Sequence, residues 1–210
     1  MSKRKKIEDL SWCLCYNNES KGGVTMLILA SSSPRRAKLL KDAGLNFIVE
    51  PSNQDEVIDL KMKPQDIALE LAKMKAIHVA AKYPNDVVLG ADTIVVFEEE
   101  ILGKPKDEDD AYRMLKKLSG DRHVVYTGVA VVKGDTVKSF VSATEVSMKK
   151  LSDLEIWNYI KTGEPMDKAG AYGIQGDGGS LVDHYKGDFF TIVGLPLKDV
   201  LDVLKSFEKE

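Results

Sequence analysis

The run Val87–Phe97 (VVLGADTIVVF) constrains the fold more than any other stretch of the chain. Valine and isoleucine dominate it, and β-branched side chains favour extended backbone. Because it is too apolar for a strand with one face in water, we predict a central strand covered on both faces. Asp92 and Thr93 interrupt it, and a buried carboxylate is costly unless it is paired, binds metal or lies at an exposed strand end. Asp92 is therefore a candidate to hold a divalent cation or to orient water, with hydrogen bonds to neighbouring backbone as the alternative.

Shorter patterns predict the remaining elements. Met26–Ala30 is wholly apolar and predicts a buried strand, Phe47–Val49 predicts another, and the alternation on both sides of Lys133–Asp135 predicts a hairpin. Proline or capping residues indicate helix starts at Pro34, Pro64, Asp107, Ser152 and Pro196. The second of these helices is expected to bury one stripe, formed by Ile67, Leu71, Met74 and His78. Together the elements predict one α/β domain with a mixed sheet, and leave open whether it forms one lobe or two.

The net charge and the hydropathy of the chain limit the classes of partner that it can bind. The formal net charge of −3 gives the chain no overall attraction to nucleic acid or to an anionic membrane, so we predict no DNA, RNA or membrane partner. The apolar runs are also too short to span a bilayer. Any polyanionic ligand must then meet a local cluster of basic residues. The oligomeric state stays open between a monomer and a homodimer.

Residues 1–25 differ from the rest of the chain. They start basic and end glycine-rich, with no sustained hydrophobic period and no apolar segment typical of a secretory signal. We predict a disordered extension over 1–25, or a start codon assigned too early, and a folded domain over 26–210. The extension holds both cysteines of the chain, Cys13 and Cys15. So few cysteines are typical of a reducing compartment, and we predict a cytoplasmic protein.

The segment LILASSSPRRAKLL combines features of an anion-binding site. Its strand leads into the hydroxyls of Ser31 and Ser33, and Pro34 occupies the first position of the following helix. A helix N-terminus exposes free N–H groups and the positive end of the helix dipole. The positive charges of Arg35 and Arg36 are unfavourable at that end of the helix. An anion bound at the same place would offset them. A serine cap beside two solvated arginines fits this segment equally well, and the spacing is not that of a Walker A loop.

Two lysines and a glycine-rich stretch are further candidates. Pro105 holds Lys104 extended, which would aim its ammonium, whereas Lys75 lies on a predicted helix where a solvated role is the alternative. Six glycines in Gly170–Gly187 indicate tight turns or close approach of the backbone to a ligand. Within this stretch, Gln175 carries an amide donor and an acceptor, which suits the edge of a base.

Taken in order, these segments resemble the Maf family of nucleotide pyrophosphatases. The resemblance covers nearly all of residues 26–207 and rests on the stretches LILASSSPRRAKLL, VVLGADTIVV, GKPKDEDDAYRMLKKLSGDRHVVYTGVAV, EPMDKAGAYGIQGDGGSLV and FFTIVGLP. It implies an elongated, two-lobed α/β domain similar to the inosine-triphosphate pyrophosphatases, with a mixed twisted sheet flanked by helices and the substrate in a cleft. It also implies a divalent cation, Mg²⁺ or Mn²⁺, and hydrolysis of dTTP, UTP or modified pyrimidine nucleotides to the monophosphate and pyrophosphate.

The resemblance also assigns roles to individual residues. It matches the family's proton acceptor to Asp92 and the positions linked to substrate choice to Arg35, Thr93 and Gln175. A threonine after the aspartate is found in the dTTP/UTP branch, whereas the branch that prefers 7-methyl-GTP differs there. Further polar residues of the family's cleft match Ser31, Arg36, Glu56, Lys75 and Lys104. Glu56 and Asp92 form the implied metal-binding pair, and Asp55 is a rival for the place of Glu56.

Two other functions are open from the sequence. A nucleotidyltransferase would use the same substrate, metal and leaving group with an alcohol or a sugar phosphate in place of water, but the chain shows no second domain for such an acceptor. A nucleotide-sensing regulator of cell division or septum formation would have no need for a hydrolytic carboxylate such as Asp92. Release of pyrophosphate from dTTP in water alone distinguishes the three functions.

Overall fold

The computed structural model describes residues 25–54, 59 and 61–207. The strands are β1 (Leu27–Leu29), β2 (Phe47–Val49), β3 (Val87–Phe97), β4 (Glu100–Leu102), β5 (Arg122–Lys133), β6 (Thr136–Met148) and β7 (Val182–Lys186). The helices are α1 (Pro34–Asp42), α2 (Pro64–Ala80), α3 (Glu108–Leu118), α4 (Asp153–Ile160), α5 (Phe189–Val193) and α6 (Leu197–Phe207). None of these helices is long and apolar enough to cross a membrane.

All seven strands form one mixed sheet. Its order is β2-β1-β3-β5-β6-β7, with β4 paired to the end of β3. β1 pairs in parallel with both β2 and β3, whereas β3, β5, β6 and β7 are antiparallel neighbours. β3 therefore lies centrally, as its apolar sequence predicts, and β5 and β6 form the predicted hairpin. The predicted α/β class, with helices flanking a mixed sheet, is confirmed.

Alternate residues of β3 separate two cores on one face of the sheet. Leu89 and Ala91 pack into a core with α1 and α6. Further along the strand, Val95 and Phe97 pack into a second core with α3 and α4. Thr93 lies on the same face of β3, between these two sets of residues. A polar side chain therefore marks the boundary between the two cores.

The opposite face of the sheet is covered by α2. Gly90 and Gly128 lie directly beneath this helix, and a Cβ on Gly90 would be 2.5 Å from the carbonyl oxygen of Ala72. Because the helix backbone rests on strand glycines, its buried face is rich in alanine, and the buried residues are Ile67, Ala68, Leu71, Ala72, Ala76 and Val79. The predicted stripe is therefore wrong at Met74 and His78, which are only half-buried.

Helix starts follow the predicted capping signals. Ser33 accepts a hydrogen bond from the Arg36 N–H at the start of α1, with Pro34 in the first turn. Ser152 and Glu155 form the predicted capping box of α4. These local signals determine where each helix begins. The first of them, at α1, also sets the position of the serine loop that precedes this helix.

Candidate functional site

A cleft opens beside β3 at the point where β1 ends. The pairing of β1 with β3 stops at Leu89, and β4 joins β3 only from Val95. Within the described residues, no strand pairs with positions 90–94 on that side. The cleft has a volume of about 410 Å³ and is lined by residues from both sides of the boundary between the cores. Its charged lining consists of Arg35, Arg36, Lys75, Lys104, Lys168, Asp92 and Asp167.

The serine loop between β1 and α1 forms one wall of the cleft. Ser31 is buried, and its Oγ accepts hydrogen bonds from the Ser33 N–H at 3.2 Å and from the Arg36 guanidinium at 3.0 Å. Arg36 also donates to Thr93 Oγ1 at 3.0 Å and to the carbonyl oxygen of Gly194 at 2.8 Å. Arg36 therefore ties the serine loop to β3 and to the end of α5, so that it shapes this wall as well as adding charge.

Asp92 and Lys75 form an ion pair between β3 and α2. The Lys75 ammonium lies 2.5 Å from Asp92 Oδ1, and the two side chains are only 19% and 14% exposed. The close approach of α2 over Gly90 brings Lys75 to this position. The ammonium satisfies the requirement that a carboxylate in a central strand be paired. It also orients the carboxylate and offsets its charge.

A row of hydroxyl groups crosses the sheet beside the cleft. Thr93, Thr127 and Ser142 stand opposite one another on β3, β5 and β6. The hydroxyl oxygens of Thr93 and Thr127 are 2.9 Å apart, and Thr127 donates to the carbonyl oxygen of Thr191 at 2.8 Å. The hydroxyls of Ser142 and Thr191 are 2.7 Å apart. Thr127 and Thr191 are fully buried, so the row fills the boundary between the two cores.

The glycine-rich segment presents Gln175 in a loop, residues 173–177, whose two ends are held by hydrogen bonds. At one end, the Tyr159 hydroxyl accepts a hydrogen bond from the Gly173 N–H at 3.1 Å and donates to Glu164 Oε1 at 3.0 Å. At the other end, Glu164 Oε2 accepts from the Asp177 N–H at 2.9 Å. Burial raises the pKa of the Tyr159 phenol above its usual range, which keeps the donor protonated. Gln175 itself is exposed and lines the cleft.

Asp167 joins the two sides of the cleft through its ion pair with Arg35. Its carboxylate lies 3.0 Å from the Arg35 guanidinium on α1 and 2.6 Å from the Lys168 ammonium. Burial pushes the pKa of Asp167 upward, but the hydrogen bonds from Lys168 and Arg35 outweigh it and hold the pKa below its usual value. With 59% of the Asp167 side chain exposed, this connection lies where the cleft meets solvent.

All predicted site residues that the structure describes line this one cleft: Ser31, Ser33, Arg35, Arg36, Lys75, Asp92, Thr93, Lys104 and Gln175. Their roles stay predictions. The predicted metal ligand Glu56 and its rival Asp55 lie outside the described residues. The sequence alone did not single out Asp167, Lys168 or Thr127. A charged pair directly before a glycine-rich stretch is the signal that could have indicated Asp167 and Lys168, whereas Thr127 has no such signal.

Comparison with known proteins identifies the family of this chain. A family model described as "Maf-like protein" matches residues 26–207. A "dTTP/UTP pyrophosphatase" of Bacillus cereus (strain ATCC 10987 / NRS 248) is 48% identical over 181 residues, 86% of this chain and 89% of that protein. Proteins of the same name from Acholeplasma laidlawii (strain PG-8A) and Thermoanaerobacter sp. (strain X514) are each 49% identical, over 87% and 85% of this chain and 96% and 95% of their own lengths. The chain therefore belongs to the Maf family.

Proposed function

We propose that this chain hydrolyses dTTP and UTP to the nucleoside monophosphate and pyrophosphate, with water as the nucleophile. The observation that carries the proposal is the Asp92–Lys75 pair in a cleft otherwise rich in cations. The names of the relatives from Bacillus cereus, Acholeplasma laidlawii and Thermoanaerobacter support dTTP and UTP as the substrates. Modified pyrimidine nucleotides fit the same chemistry, and we infer a role in removing non-standard nucleotides.

The cations of the cleft would receive the triphosphate. The chain as a whole carries a net charge of −3, yet the cleft concentrates positive charge at Arg35, Lys104 and Lys168. Such local fields attract a polyanion and stabilise charge as it builds on the leaving group. The positive end of the α1 dipole, beside the serine loop, would add to this attraction.

Asp92 would orient and deprotonate the attacking water. The water oxygen forms a bond to the α-phosphorus, and its proton passes to the Asp92 carboxylate. The bond from the α-phosphorus to the oxygen that bridges to the β-phosphorus breaks, and pyrophosphate leaves with both electrons of that bond. Because Lys75 holds Oδ1 at 2.5 Å, we assign Oδ2 of Asp92 to the water.

A divalent cation, Mg²⁺ or Mn²⁺, is part of the proposal. Among the residues that the structure describes, no three acidic, histidine or cysteine side chains come together as a metal cluster. Mg²⁺ is typically held by one or two carboxylates together with substrate phosphates, a pattern that Asp92 at the edge of a nucleotide cleft fits. Glu56 would be the second carboxylate. When bound there, the cation would offset charge on the phosphates.

The alternatives are a nucleotidyltransferase and a sensor that binds without cleaving. The Asp92 carboxylate favours hydrolysis over sensing, because a negative charge beside bound phosphates does not help binding, whereas a hydrolase needs a group that accepts a proton from water. A cytoplasmic location and the choice between monomer and homodimer stay predictions from the sequence.

The proposal is tested by assaying each common nucleoside triphosphate with Mg²⁺ or Mn²⁺ and water alone. Pyrophosphate is detected as phosphate, with and without added inorganic pyrophosphatase. We expect dTTP and UTP to react fastest and phosphate to appear only when the pyrophosphatase is present. Pyrophosphate release that requires an added alcohol or sugar phosphate would indicate a transferase, and binding without any release would indicate a sensor.

Asp92→Asn tests the assigned proton acceptor. The amide keeps the size of the side chain but removes the basic oxygen, so we expect kcat on dTTP to fall by about 10²–10⁴-fold. A thermal melt establishes that the variant is folded. Asp199→Asn, an equal charge change at an exposed position of α6, is the matched control and should keep wild-type kcat. A folded Asp92→Asn protein that retains more than about a tenth of kcat would move the role elsewhere, first to Glu56.

A further inference from the structure

The neighbours of the Thr93 hydroxyl determine which of its hydrogen bonds it donates and which it accepts. The carbonyl oxygen of Thr191 can only accept, so the Thr127 hydroxyl 2.8 Å away must donate to it. A hydroxyl has one proton, and Thr127 therefore accepts from Thr93 across the 2.9 Å contact. The guanidinium of Arg36 can only donate, and at 3.0 Å it occupies one lone pair of the Thr93 oxygen.

Thr93 consequently offers the cleft an acceptor and no donor. Its proton is committed inward to Thr127, and its oxygen keeps one lone pair beyond these contacts with described residues. Thr93 lines the cleft, so that lone pair is the hydrogen-bonding group available to a ligand there. A ligand atom that meets Thr93 favourably must carry a hydrogen.

The neighbours that set this direction are rigid. Thr127 and Thr191 are both fully buried, so Thr127 has no water to which it could donate instead. Asp188 caps α5 by accepting from the Thr191 N–H at 2.8 Å and from the Thr191 hydroxyl at 3.1 Å. The Thr191 carbonyl is therefore held in place, and the Thr127 hydroxyl with it.

We propose that Thr127 is a positioning residue that makes Thr93 an acceptor-only group, which selects the N3–H of uracil and thymine against cytosine. This inference deepens the proposed function and rests on it. N3 of uracil or thymine carries a hydrogen, whereas N3 of cytosine is itself an acceptor and would face Thr93 lone pair to lone pair. The other donors of UTP are its ribose hydroxyls, which CTP shares. The additional donor of cytosine, its 4-amino group, lies one ring position away from N3, so an effect that depends on the base identifies N3–H.

The test compares Thr127→Val with Thr127→Ser. Valine keeps the shape of threonine but lets the Thr93 hydroxyl turn and donate, whereas serine keeps the Thr127 hydroxyl. We measure kcat/KM for UTP and CTP, and the affinities of their α,β-methylene analogues by calorimetry. The UTP:CTP ratio should fall by about tenfold in Thr127→Val, by the loss of one directed hydrogen bond, and should stay near wild type in Thr127→Ser.

The ratio separates positioning from folding. Any general loss from the buried substitution lowers the rates for UTP and CTP by the same factor and cancels in the ratio. A folded Thr127→Val protein with the wild-type UTP:CTP ratio, or a wild-type protein that does not prefer UTP to CTP, overturns the inference. Absence of pyrophosphate release from every nucleotide would overturn the proposed function instead, and the analogue affinities would still decide the role of Thr127.

Discussion

His123 lies buried behind the wall of the cleft, with Nε2 2.7 Å from the hydroxyl of the cleft residue Tyr172. Burial lowers the pKa of its imidazole to about 4, against 6.5 for an ordinary histidine. Between these two values the unfolded chain binds a proton that the folded chain does not. Stability therefore rises with pH across this window, and the contribution of the neutral ring is lost as the pH falls from 6.5 toward 4.

We expect His123→Gln to remove this part of the pH dependence. His123 contributes about 2 kcal/mol to the difference in the free energy of unfolding between pH 7 and pH 5. Calorimetric unfolding at the two pH values measures this difference. Tyr172→Phe is the matched control, because it keeps the buried imidazole and removes only the hydroxyl partner. A His123→Gln protein with the wild-type difference between the two pH values would contradict a neutral, buried imidazole.

Single residues were predictable where they conflict with their surroundings. Asp92 inside an apolar strand and two arginines in the first turn of a helix both stood out in the sequence as candidates, and both places line the cleft. The pairing of Asp167 with Arg35 could not be found in that way, because the two residues are 132 positions apart and neither local pattern indicates the contact. The direction of the hydrogen bond at the Thr93 hydroxyl likewise depends on contacts between residues that are far apart in sequence.

Among the elements, the contact of α2 with the sheet gives a stability prediction. A Cβ on Gly128 would overlap the carbonyl group of Ala68 in the α2 backbone. Gly128→Ala must push the helix away, and we expect it to lower the free energy of unfolding by about 1–3 kcal/mol. Gly103→Ala is the control, because a Cβ there would meet nothing within 4 Å. Equal denaturant midpoints for the two variants would contradict the close approach of α2.

Element positions were more predictable than element faces. Proline and capping residues gave the helix starts, and β-branched runs gave the strands, because these signals act within a few residues. The predicted buried face of α2 was wrong at Met74 and His78, since glycines on two neighbouring strands that are far apart in sequence let its alanine face approach the sheet. A hydrophobic stripe predicts the buried face of a helix when side chains cover the surface on which the helix packs. Here the two glycines leave that surface without side chains beneath α2.

At the scale of the whole molecule, two cores share one sheet and the cleft opens at their boundary. The sequence predicted the sheet but left the number of lobes open, because the first core collects residues from both ends of the chain, whereas the second is formed within residues 95–192. The first core, for example, joins Leu27 of β1 to Phe207 of α6. The Arg35–Asp167 pair connects α1 beside the first core to a turn beside the second. A ligand that binds Arg35 from within the cleft competes with this pair.

Asp167→Asn tests this connection. A triphosphate needs Arg35 and Lys168 as partners, and the Asp167 carboxylate both competes for them and repels the ligand. Ion pairs this exposed are weak, so we expect the KM for dTTP to fall by only about two- to fivefold, with kcat little changed. Asp199→Asn is again the matched control and should leave KM unchanged. The contrast should shrink at high salt, because screening weakens both the pair and the repulsion. A KM that rises in Asp167→Asn would mean that this carboxylate holds the substrate, through a cation or through Arg35, rather than competing with it.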